Sequence, residues 1–204
     1  MDYKETVKAG YNSIAERYLA ERTRDSEDIR LINDLIERLP INASVLDAGC
    51  GAGVPISLML SERFKVTGVD FSEAQIGLAR KQVPLANFIC RDMTKLDFPE
   101  NSFDGICSYY AIIHIPREEH QPLLMDFYRM LKPNGLALLC LGAENLADDI
   151  DDNYLGTRMY WSHYDTDTYL KILKDCGFSL IWSKYVADES WEGAGHLFVL
   201  AQKR

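Results

Sequence analysis

The chain has 204 residues and a formal net charge of −9 at neutral pH. This acidity argues against nucleic acid or an anionic membrane face as a partner, because like charges repel. No apolar run reaches the length of a membrane span, so membrane insertion is not expected. The five cysteines are scattered without a CxxC pair, which favours free thiols and a cytoplasmic location.

The length favours one domain spanning residues 1–204, and its first elements are helical. Apolar and aromatic residues recur on one face of residues 4–21, which predicts an N-terminal helix that caps the domain within residues 1–25. A second helix is expected over residues 27–39, with Ser26 as its N-cap.

A short apolar strand then runs into a glycine-rich turn, residues 44–53. Gly49, Gly51 and Gly53 occupy alternate positions, which permits a sharp turn and leaves no Cβ where a ligand approaches. In an open parallel α/β sheet, the first strand-to-helix turn is where a nucleotide-like ligand binds. The next strand ends at Asp70, whose carboxylate can accept hydrogen bonds from ribose hydroxyls.

Two residues argue against a dinucleotide at this turn. Val54 breaks the pattern GxGxxG/A, and Asp47, just before the first glycine, would repel a pyrophosphate. A carboxylate suits a ligand with an ammonium and a sulfonium, the charges of S-adenosylmethionine. Residues 45–53, together with Val69 and Asp70, resemble the first two motifs of the class I S-adenosylmethionine-dependent methyltransferases.

This resemblance implies an α/β fold: a doubly wound, Rossmann-like seven-stranded sheet, mostly parallel, with an antiparallel C-terminal strand pair and an N-terminal cap helix. The remaining patterns agree with it. Strands are expected at residues 44–49, 65–70, 86–91, 103–108, 136–141, 178–186 and 195–202. Residues 143–164 have no clear periodicity and are expected to be a long functional loop, a lid over the site.

The resemblance also implies a set of residues that bind the cofactor S-adenosylmethionine. They are Tyr18, Asp47, Gly49, Cys50, Gly51, Gly53, Asp70, Phe71, Asp92, Met93, Ser108 and Tyr109. For three of them a simpler role is open. Tyr18 can belong to a packing helix, Phe71 to the core and Asp92 to a solvated loop.

The acceptor side carries a weaker signal, because methyl transfer from a sulfonium depends mainly on alignment of the reactants. His114, at the exit of the fourth strand, is the candidate base or orienting group, and a structural histidine is the alternative. His163 in the lid is a weaker candidate, His196 can be structural, and His120 is expected to be solvated. No two have metal-ligand spacing, so no metal is expected.

Aromatic and acidic side chains surround these candidates in the sequence. Aromatic surface for a flat or apolar acceptor, or for a cation, is offered by Tyr109, Tyr110, Tyr160, Trp161 and Trp191, each of which can instead be a packing residue. The acidic cluster at residues 148–152 can attract a cationic acceptor or form an exposed loop.

The sequence therefore predicts a methyltransferase that acts on a small molecule, similar to the quinone-biosynthesis C-methyltransferases. Two alternatives stay open: methylation of a protein or nucleic acid, and a module that binds the cofactor without transferring the methyl group. Net acidity and the absence of a basic patch count against nucleic acid. Val54 and Asp47 count against NAD-dependent redox chemistry.

Overall fold

The computed structural model describes residues 2–23, 25–187 and 195–204. Within these ranges the helices are α1 Tyr3–Glu21, α2 Glu27–Arg30, α3 Ile32–Arg38, α4 Ile56–Ser61, α5 Glu73–Gln82, α6 His120–Met130 and α7 Thr166–Asp175. The strands are β1 Ser44–Ala48, β2 Lys65–Asp70, β3 Asn87–Cys90, β4 Phe103–Ser108, β5 Leu131–Gly142, β6 Leu146–Tyr154, β7 Thr157–His163, β8 Phe178–Ala187 and β9 Gly195–Lys203.

Seven strands form one sheet in the order β3-β2-β1-β4-β5-β9-β8. The first five strands in this order pair in parallel, and β9 runs antiparallel to both β5 and β8. This is the predicted Rossmann-like sheet with an antiparallel C-terminal strand pair, so the fold expectation is confirmed. The chain reverses the direction in which strands are added between β1 and β4, which opens a crevice at the carboxyl ends of these strands.

The parallel strands β1, β4 and β5 are largely buried because helices cover both faces of the sheet. Consecutive side chains of β1 point to opposite faces. Val45 packs in a cluster with residues of α3 and α4, whereas Leu46 packs with residues of α6. The two clusters hold the sheet rigid between them, and the strand ends are fixed with it.

The N-terminal helix lies within one residue of its predicted bounds, but the helix expected over residues 27–39 is interrupted at Leu31, which separates α2 from α3. The helix after the glycine turn covers Ile56–Ser61. Ser72 caps α5 as its Oγ accepts from the N–H of Gln75 at 3.2 Å.

The expected lid loop is a β-hairpin. Strands β6 and β7 pair antiparallel in a second, two-stranded sheet, so the loop prediction for residues 143–164 was wrong in its conformation. Aspartate is uncommon in strands, and this composition hid β6. The hairpin is held by tertiary packing, since Met159 and Tyr160 of β7 are buried against Val7 and Ile14 of α1.

Helix α1 connects this hairpin to the edge of the large sheet. The ring of Tyr3 stacks on the ring of Tyr160 with centroids 4.2 Å apart. On another side of the helix, the Asn12 side-chain oxygen accepts hydrogen bonds from the Ser72 hydroxyl at 2.7 Å and the Ala74 N–H at 3.1 Å. We call α1 and the hairpin β6–β7 together the cap.

The structure bears on two further expectations from composition. All five cysteines are free thiols. Among the described residues, every helix is too short or too polar to cross a membrane.

Candidate active site

Acidic side chains follow three neighbouring strands at the same edge of the sheet. Asp47 lies near the end of β1, Asp70 ends β2, and Asp92 follows β3. Since β3, β2, β1 and β4 are adjacent and parallel, their carboxyl ends form a row with a spacing of about 4.8 Å. The segment after β4, which carries His114, continues that row on the other side of β1.

The glycine turn is fastened to the end of β2. The N–H groups of Gly49 and Cys50 both donate to the carbonyl oxygen of Val69, at 2.8 and 3.0 Å. The N–H of Gly51 donates to Oδ2 of Asp70 at 2.9 Å. The turn therefore holds its shape through main-chain contacts.

Gly49 cannot be replaced by a residue with a side chain. Its φ is +79°, and a Cβ on it would lie 2.1 Å from the Cβ of Ala111 and 2.9 Å from the Cε of Met93. The turn and the segment after β4 thus approach each other at backbone distance. Gly53 serves a different contact, because a Cβ there would lie 3.2 Å from the side chains of Phe88 in β3 and of Val83 at the end of α5.

Two adjoining cavities open at the row of strand ends. The larger one, with about 620 Å³ of empty space, is lined by Lys4, Val7, Tyr11, Tyr18, Gly49, Gly51, Asp70, Phe71, Gln75, Arg91, Asp92, Met93, Tyr109, Tyr110, Ala111, His114 and Ile115. The smaller one is lined by Tyr18, Leu19, Arg22, Asp47, Gly49, Cys50, Gly51, Ala52, Val54, Ile56 and Tyr109.

The cavities bring together ten of the twelve predicted cofactor residues. Eight line the larger cavity, and Asp47 and Cys50 line the smaller one. Ser108 and Gly53 line neither. The Ser108 hydroxyl is buried and donates to the carbonyl oxygen of Ala48 at 2.8 Å, so it links β4 to β1 behind the site.

Asp47 is almost fully buried at the floor of the smaller cavity. Only 1% of the residue is exposed, and its carboxylate accepts hydrogen bonds from the Ser57 hydroxyl at 2.5 Å and the Cys107 thiol at 3.6 Å. Burial raises the pKa of Asp47 to about 6, against this hydrogen bonding. A buried carboxylate in this state gains from an incoming cation.

Asp70 lines the larger cavity, and its carboxylate, like that of Asp47, is hydrogen-bonded and has a raised pKa. Oδ2 accepts from the Gly51 N–H and Oδ1 from the Ser72 N–H, both at 2.9 Å. Burial raises the pKa of Asp70 to about 6, although these backbone donors favour the ionised form. Each oxygen keeps a lone pair for a ligand hydroxyl.

Asp92 is engaged by its own turn and by the cap. Oδ1 accepts from the N–H and the hydroxyl of Thr94, at 2.9 and 2.8 Å, and Oδ2 lies 3.3 Å from Nζ of Lys4. Burial acts to raise the pKa of Asp92, but these donors outweigh it and the pKa lies below its ordinary value. Lys4 also contacts Glu119. The first turn of α1 is thereby fixed to this end of the cavity.

His114 is held from both sides. Its Nδ1 lies 2.7 Å from the carbonyl oxygen of Tyr160 and its Nε2 2.8 Å from the hydroxyl of Tyr11. A carbonyl oxygen only accepts, so Nδ1 carries the proton, Nε2 has the lone pair, and Tyr11 donates to it. Burial lowers the pKa of His114 to about 4, so the imidazole is neutral at pH 7.

The prediction for His120 was wrong. It is completely buried, with Nδ1 2.7 Å from the Tyr169 hydroxyl and Nε2 2.8 Å from the carbonyl oxygen of Ile115. Its polar sequence neighbours suggested solvent, but α7 brings Tyr169 over it. His163 bonds to the carbonyl oxygen of Glu144 on the hairpin side. His196 packs edge-on against Tyr110.

The predicted aromatic residues are divided between the larger cavity and the cap. Tyr109 and Tyr110 line the larger cavity. Tyr160 and Trp161 pack in the cap, where the Trp161 ring lies 5.4 Å from that of His114. Trp191 falls outside the described residues.

Several site residues were not predicted from the sequence. Tyr11 and Lys4 reach the larger cavity from α1, and Arg22 reaches the smaller one from the end of α1. Gln75 lines the larger cavity with 1% exposure, and its side-chain amide nitrogen and oxygen have no hydrogen-bond partner among the described residues. Helical spacing placed Tyr11 on the face of Tyr18, but nothing in the sequence marked Gln75.

Comparison with known proteins agrees with this geometry. Residues 45–135 match a family model described as a methyltransferase domain. The chain is 30% identical over 167 residues to phosphoethanolamine N-methyltransferase of Plasmodium falciparum (isolate 3D7), an alignment that covers 78% of this chain and 61% of that protein. These similarities support the class I S-adenosylmethionine-dependent methyltransferase family that the sequence motifs resemble.

The cofactor predicted from the sequence, S-adenosylmethionine, is the cofactor of this family. The chain is also 30% identical over 171 residues to cycloartenol-C-24-methyltransferase of Arabidopsis thaliana, an alignment that covers 72% of this chain and 47% of that protein. It spans less than two thirds of the length of both relatives.

Solved structures show the same fold at low sequence identity. 1,6-Didemethyltoxoflavin-N1-methyltransferase of Burkholderia thailandensis, with bound 1,6-didemethyltoxoflavin and S-adenosylhomocysteine, superposes with a TM-score of 0.75 at 19% identity, over 99% of this chain and 89% of that chain. The [4+2]-cyclase SpnF superposes with a TM-score of 0.74 at 18% identity, over 96% and 94%. The fold therefore accommodates more than one reaction.

Proposed function

We propose that this chain transfers the methyl group of S-adenosylmethionine to a small-molecule acceptor. The observation that carries the proposal is the row of strand ends. It brings Asp92 and Asp70 to the larger cavity, together with the Tyr11–His114 pair, and Asp47 to the adjoining smaller one. The cofactor half and the reaction half of the site are thus neighbours.

The residues of the cofactor half fit this ligand in three respects. The bare backbone at Gly49 leaves room for close approach beside Ala111. Gln75 presents a buried amide without a partner among the described residues, which a ligand's polar atoms can satisfy. Asp47 offers a buried carboxylate to an ammonium, and Asp70 a hydrogen-bonded one to ribose hydroxyls.

When bound, the cofactor supplies a methyl group on a positively charged sulfur, which is displaced in line by a nucleophilic atom of the acceptor. The main work of the protein is then to orient the acceptor and exclude water. Tyrosine rings from α1 and from the segment after β4 do this, because Tyr11, Tyr18 and Tyr110 wall the larger cavity.

Tyr11 and His114 can remove a proton from the acceptor. The Tyr11 hydroxyl donates to Nε2 of His114, which leaves the phenol oxygen free to accept a hydrogen bond from an acceptor N–H or O–H. As that proton moves to Tyr11, the phenol proton passes to Nε2. His114 is neutral at pH 7 and oriented by Tyr160, so its Nε2 lone pair is available to the proton, while the burial that lowers its pKa to about 4 makes it a weaker base than a free imidazole.

The reaction half favours an acceptor without a strong negative charge. Lys4 and Arg91 are the cations that line the larger cavity, and each is paired with an acid, Lys4 with Asp92 and Arg91 with Asp97. Tyrosine faces and a neutral imidazole instead suit a flat or basic molecule. The relatives named for phosphoethanolamine and cycloartenol support a small acceptor. A cytoplasmic location and the absence of a nucleic-acid partner and of a metal belong to the same proposal.

A screen of methyl acceptors tests the proposal, with release of S-adenosylhomocysteine as the readout. One arm of the screen contains small amines, phenols and ketones with an activated methylene group. The other arm contains a bulk protein extract and RNA. We expect turnover with a member of the first arm and its loss in His114→Asn, with unchanged binding of S-adenosylhomocysteine by calorimetry.

Turnover with the second arm alone would replace the small-molecule acceptor by a macromolecule. Tight cofactor binding without turnover in either arm would identify a binding module. NAD binding in place of S-adenosylhomocysteine would refute the cofactor assignment.

A further inference from the structure

His114 carries a positive charge at one point of the proposed reaction. When the Tyr11 proton passes to Nε2, both ring nitrogens hold a proton and the ring becomes an imidazolium. The acceptor atom forms the bond to the methyl carbon, the electron pair of the carbon–sulfur bond stays on sulfur, and the acceptor's proton replaces the one that Tyr11 gives up. The positive charge that sulfur loses is therefore gained by His114.

No carboxylate compensates this charge. Among the described residues, His114 has none within ion-pair distance. The polar groups that face it are the Tyr11 hydroxyl from α1 and the carbonyl oxygen of Tyr160 from β7, and His196 of β9 acts electrostatically against its protonation. A buried cation with so few partners is costly, so another source of stabilisation matters for proton uptake.

The indole ring of Trp161 lies beside this imidazole. The two ring centres are 5.4 Å apart, and the ring planes are inclined by 46°. The ring of Tyr154 in β6 packs edge-on against Trp161, with centres 5.1 Å apart, and so fixes the indole within the hairpin. Indole attracts a cation more strongly than any other aromatic side chain, at up to about 6 Å from the ring centre. Trp161 is thus within range of the charge that forms on His114.

The second buried histidine provides a comparison within the same molecule. His120 is also held by a carbonyl oxygen and a tyrosine hydroxyl, those of Ile115 and Tyr169. Its aromatic neighbours among the described residues are the tyrosines Tyr164 and Tyr169, and it lines neither cavity. The indole is therefore found at the histidine that lines the larger cavity and takes part in proton transfer.

We propose that Trp161 stabilises the imidazolium form of His114 by a cation–π interaction and thereby supports proton uptake during methyl transfer. The inference rests on the proposed function for its catalytic meaning, whereas the contact itself can be measured without an acceptor. Trp161 lines neither cavity, so it acts on the reaction through His114, as a positioning residue.

An NMR titration of the imidazole Cε1–H signals between pH 8 and pH 4 measures the proton affinity of His114, with His114→Asn to assign its signal. The proteins are the wild type, Trp161→Phe and Trp161→Leu. Trp182→Phe is the control for loss of an indole, because Trp182 packs on β8 in a different cluster.

We expect the proton affinity of His114 to fall by about threefold to thirtyfold in Trp161→Leu and by less in Trp161→Phe, which keeps a weaker aromatic face. Trp182→Phe should titrate as the wild type does. With an acceptor from the screen, kcat should fall in the same order, and S-adenosylhomocysteine affinity should stay unchanged in every variant.

Fluorinated tryptophans separate charge from packing. Fluorine withdraws electron density from the ring face and changes the size of the indole little. Protein labelled with mono-, di- and tetrafluorotryptophan should show a stepwise fall in the proton affinity of His114. The same labelling of Trp161→Phe should have no effect, because the other tryptophans then carry all the fluorine.

A Trp161→Leu variant in which His114 titrates as in the wild type would overturn the inference. So would a fall in Trp161→Leu without any response to fluorine, because Trp161 would then only pack against the histidine. A wild type without turnover on any acceptor would refute the proposed function, and the titration would still decide whether the cation–π contact exists.

Discussion

The cofactor half and the reaction half of this site are built in different ways. The cofactor half comes mainly from strand ends and a main-chain turn between Asp47 and Met93, to which Tyr18 and Tyr109 add side chains from outside that stretch. The reaction half is assembled from distant segments. His114 meets Tyr11, 103 residues away, and the carbonyl oxygen of Tyr160, 46 residues away. The rigid sheet thus fixes one half, and the packing of the cap fixes the other.

The largest effect is expected from a change that fills the turn. Gly49→Ala places a Cβ 2.1 Å from that of Ala111 at a φ of +79°. Overpacking and a left-handed backbone together cost about 2–5 kcal/mol of unfolding free energy, and cofactor binding should be lost. Chemical denaturation and calorimetry with S-adenosylhomocysteine measure both.

Gly77→Ala is the matched control, because a Cβ there has no atom within 4 Å and Gly77 lies inside α5. It should stabilise the fold by up to about 1 kcal/mol and leave binding unchanged. If Gly49→Ala kept its unfolding free energy and its cofactor binding, as expected for Gly77→Ala, the glycine turn would not be the rigid part of the cofactor half.

The second prediction separates the reaction half from the cofactor half. Tyr11→Phe removes the hydroxyl that bonds Nε2 of His114 and keeps the ring in place. We expect kcat to fall by about 10²- to 10⁴-fold, as for loss of a proton-transfer group, with S-adenosylhomocysteine affinity unchanged.

Tyr3→Phe removes a hydroxyl from the same helix and preserves the stacking on Tyr160, so its kcat should equal that of the wild type. A Tyr11→Phe variant that lost cofactor affinity as strongly as turnover would show that the two halves are not separable in this way.

The third prediction uses the raised pKa of Asp47, about 6. An ammonium favours the ionised form, so binding below pH 6 must displace a proton and affinity falls with decreasing pH. We expect S-adenosylhomocysteine to bind about tenfold more weakly at pH 5 than at pH 7. Isothermal titration across this range measures the change.

5′-Methylthioadenosine lacks the ammonium and keeps the ribose, so its affinity reports the part of the pH dependence that comes from Asp70, whose pKa is also raised to about 6, and it should fall less than that of S-adenosylhomocysteine. A decline for S-adenosylhomocysteine that begins only below pH 4 would indicate an ordinary carboxyl group and would contradict the electrostatic account of Asp47.

The smallest effect is expected at the contact between the cap and the cofactor half. Lys4→Met removes the ion pair with Asp92, in which the two side chains are 18% and 21% exposed. Partly exposed pairs contribute up to about 1 kcal/mol, so S-adenosylhomocysteine should dissociate about two- to fivefold faster. Stopped-flow measurement of dissociation tests this.

Lys171→Met serves as the control, since its partner Asp175 lies one turn away on α7. Its dissociation rate should match that of the wild type. Slower dissociation in Lys4→Met would show that Lys4 competes with the ligand for Asp92 and does not hold the cap closed.

The sequence predicted correctly those elements that the local residue pattern determines. Strands β2 and β4 have the predicted bounds, and the glycine turn lies where alternate glycines placed it. Ser108 is an exception. It has the right position in the chain, but its hydroxyl bonds to Ala48 and does not line the cavities. The residue pattern of β4 does not show to which face Ser108 points.

Tertiary packing decided the features that the sequence could not show. Strand β6 contains four aspartates and is held by its pairing with β7, whose buried face packs on α1. His120 was expected in solvent and is covered by Tyr169. Gln75 looks like an ordinary helical residue, and only burial without a partner among the described residues distinguishes it.

The hydrogen bonds of His114 have one further consequence. A single imidazole is tied to α1 through Tyr11 and to the hairpin through Tyr160. Displacing either covering element to admit a reactant breaks one of these hydrogen bonds: without the hairpin the ring loses its fixed tautomer, and without α1 it loses its phenol partner. Proton transfer and closure of the site therefore depend on the same contacts. When the cap is displaced, bulk water reaches the methyl donor, but His114 is no longer held in position to accept a proton.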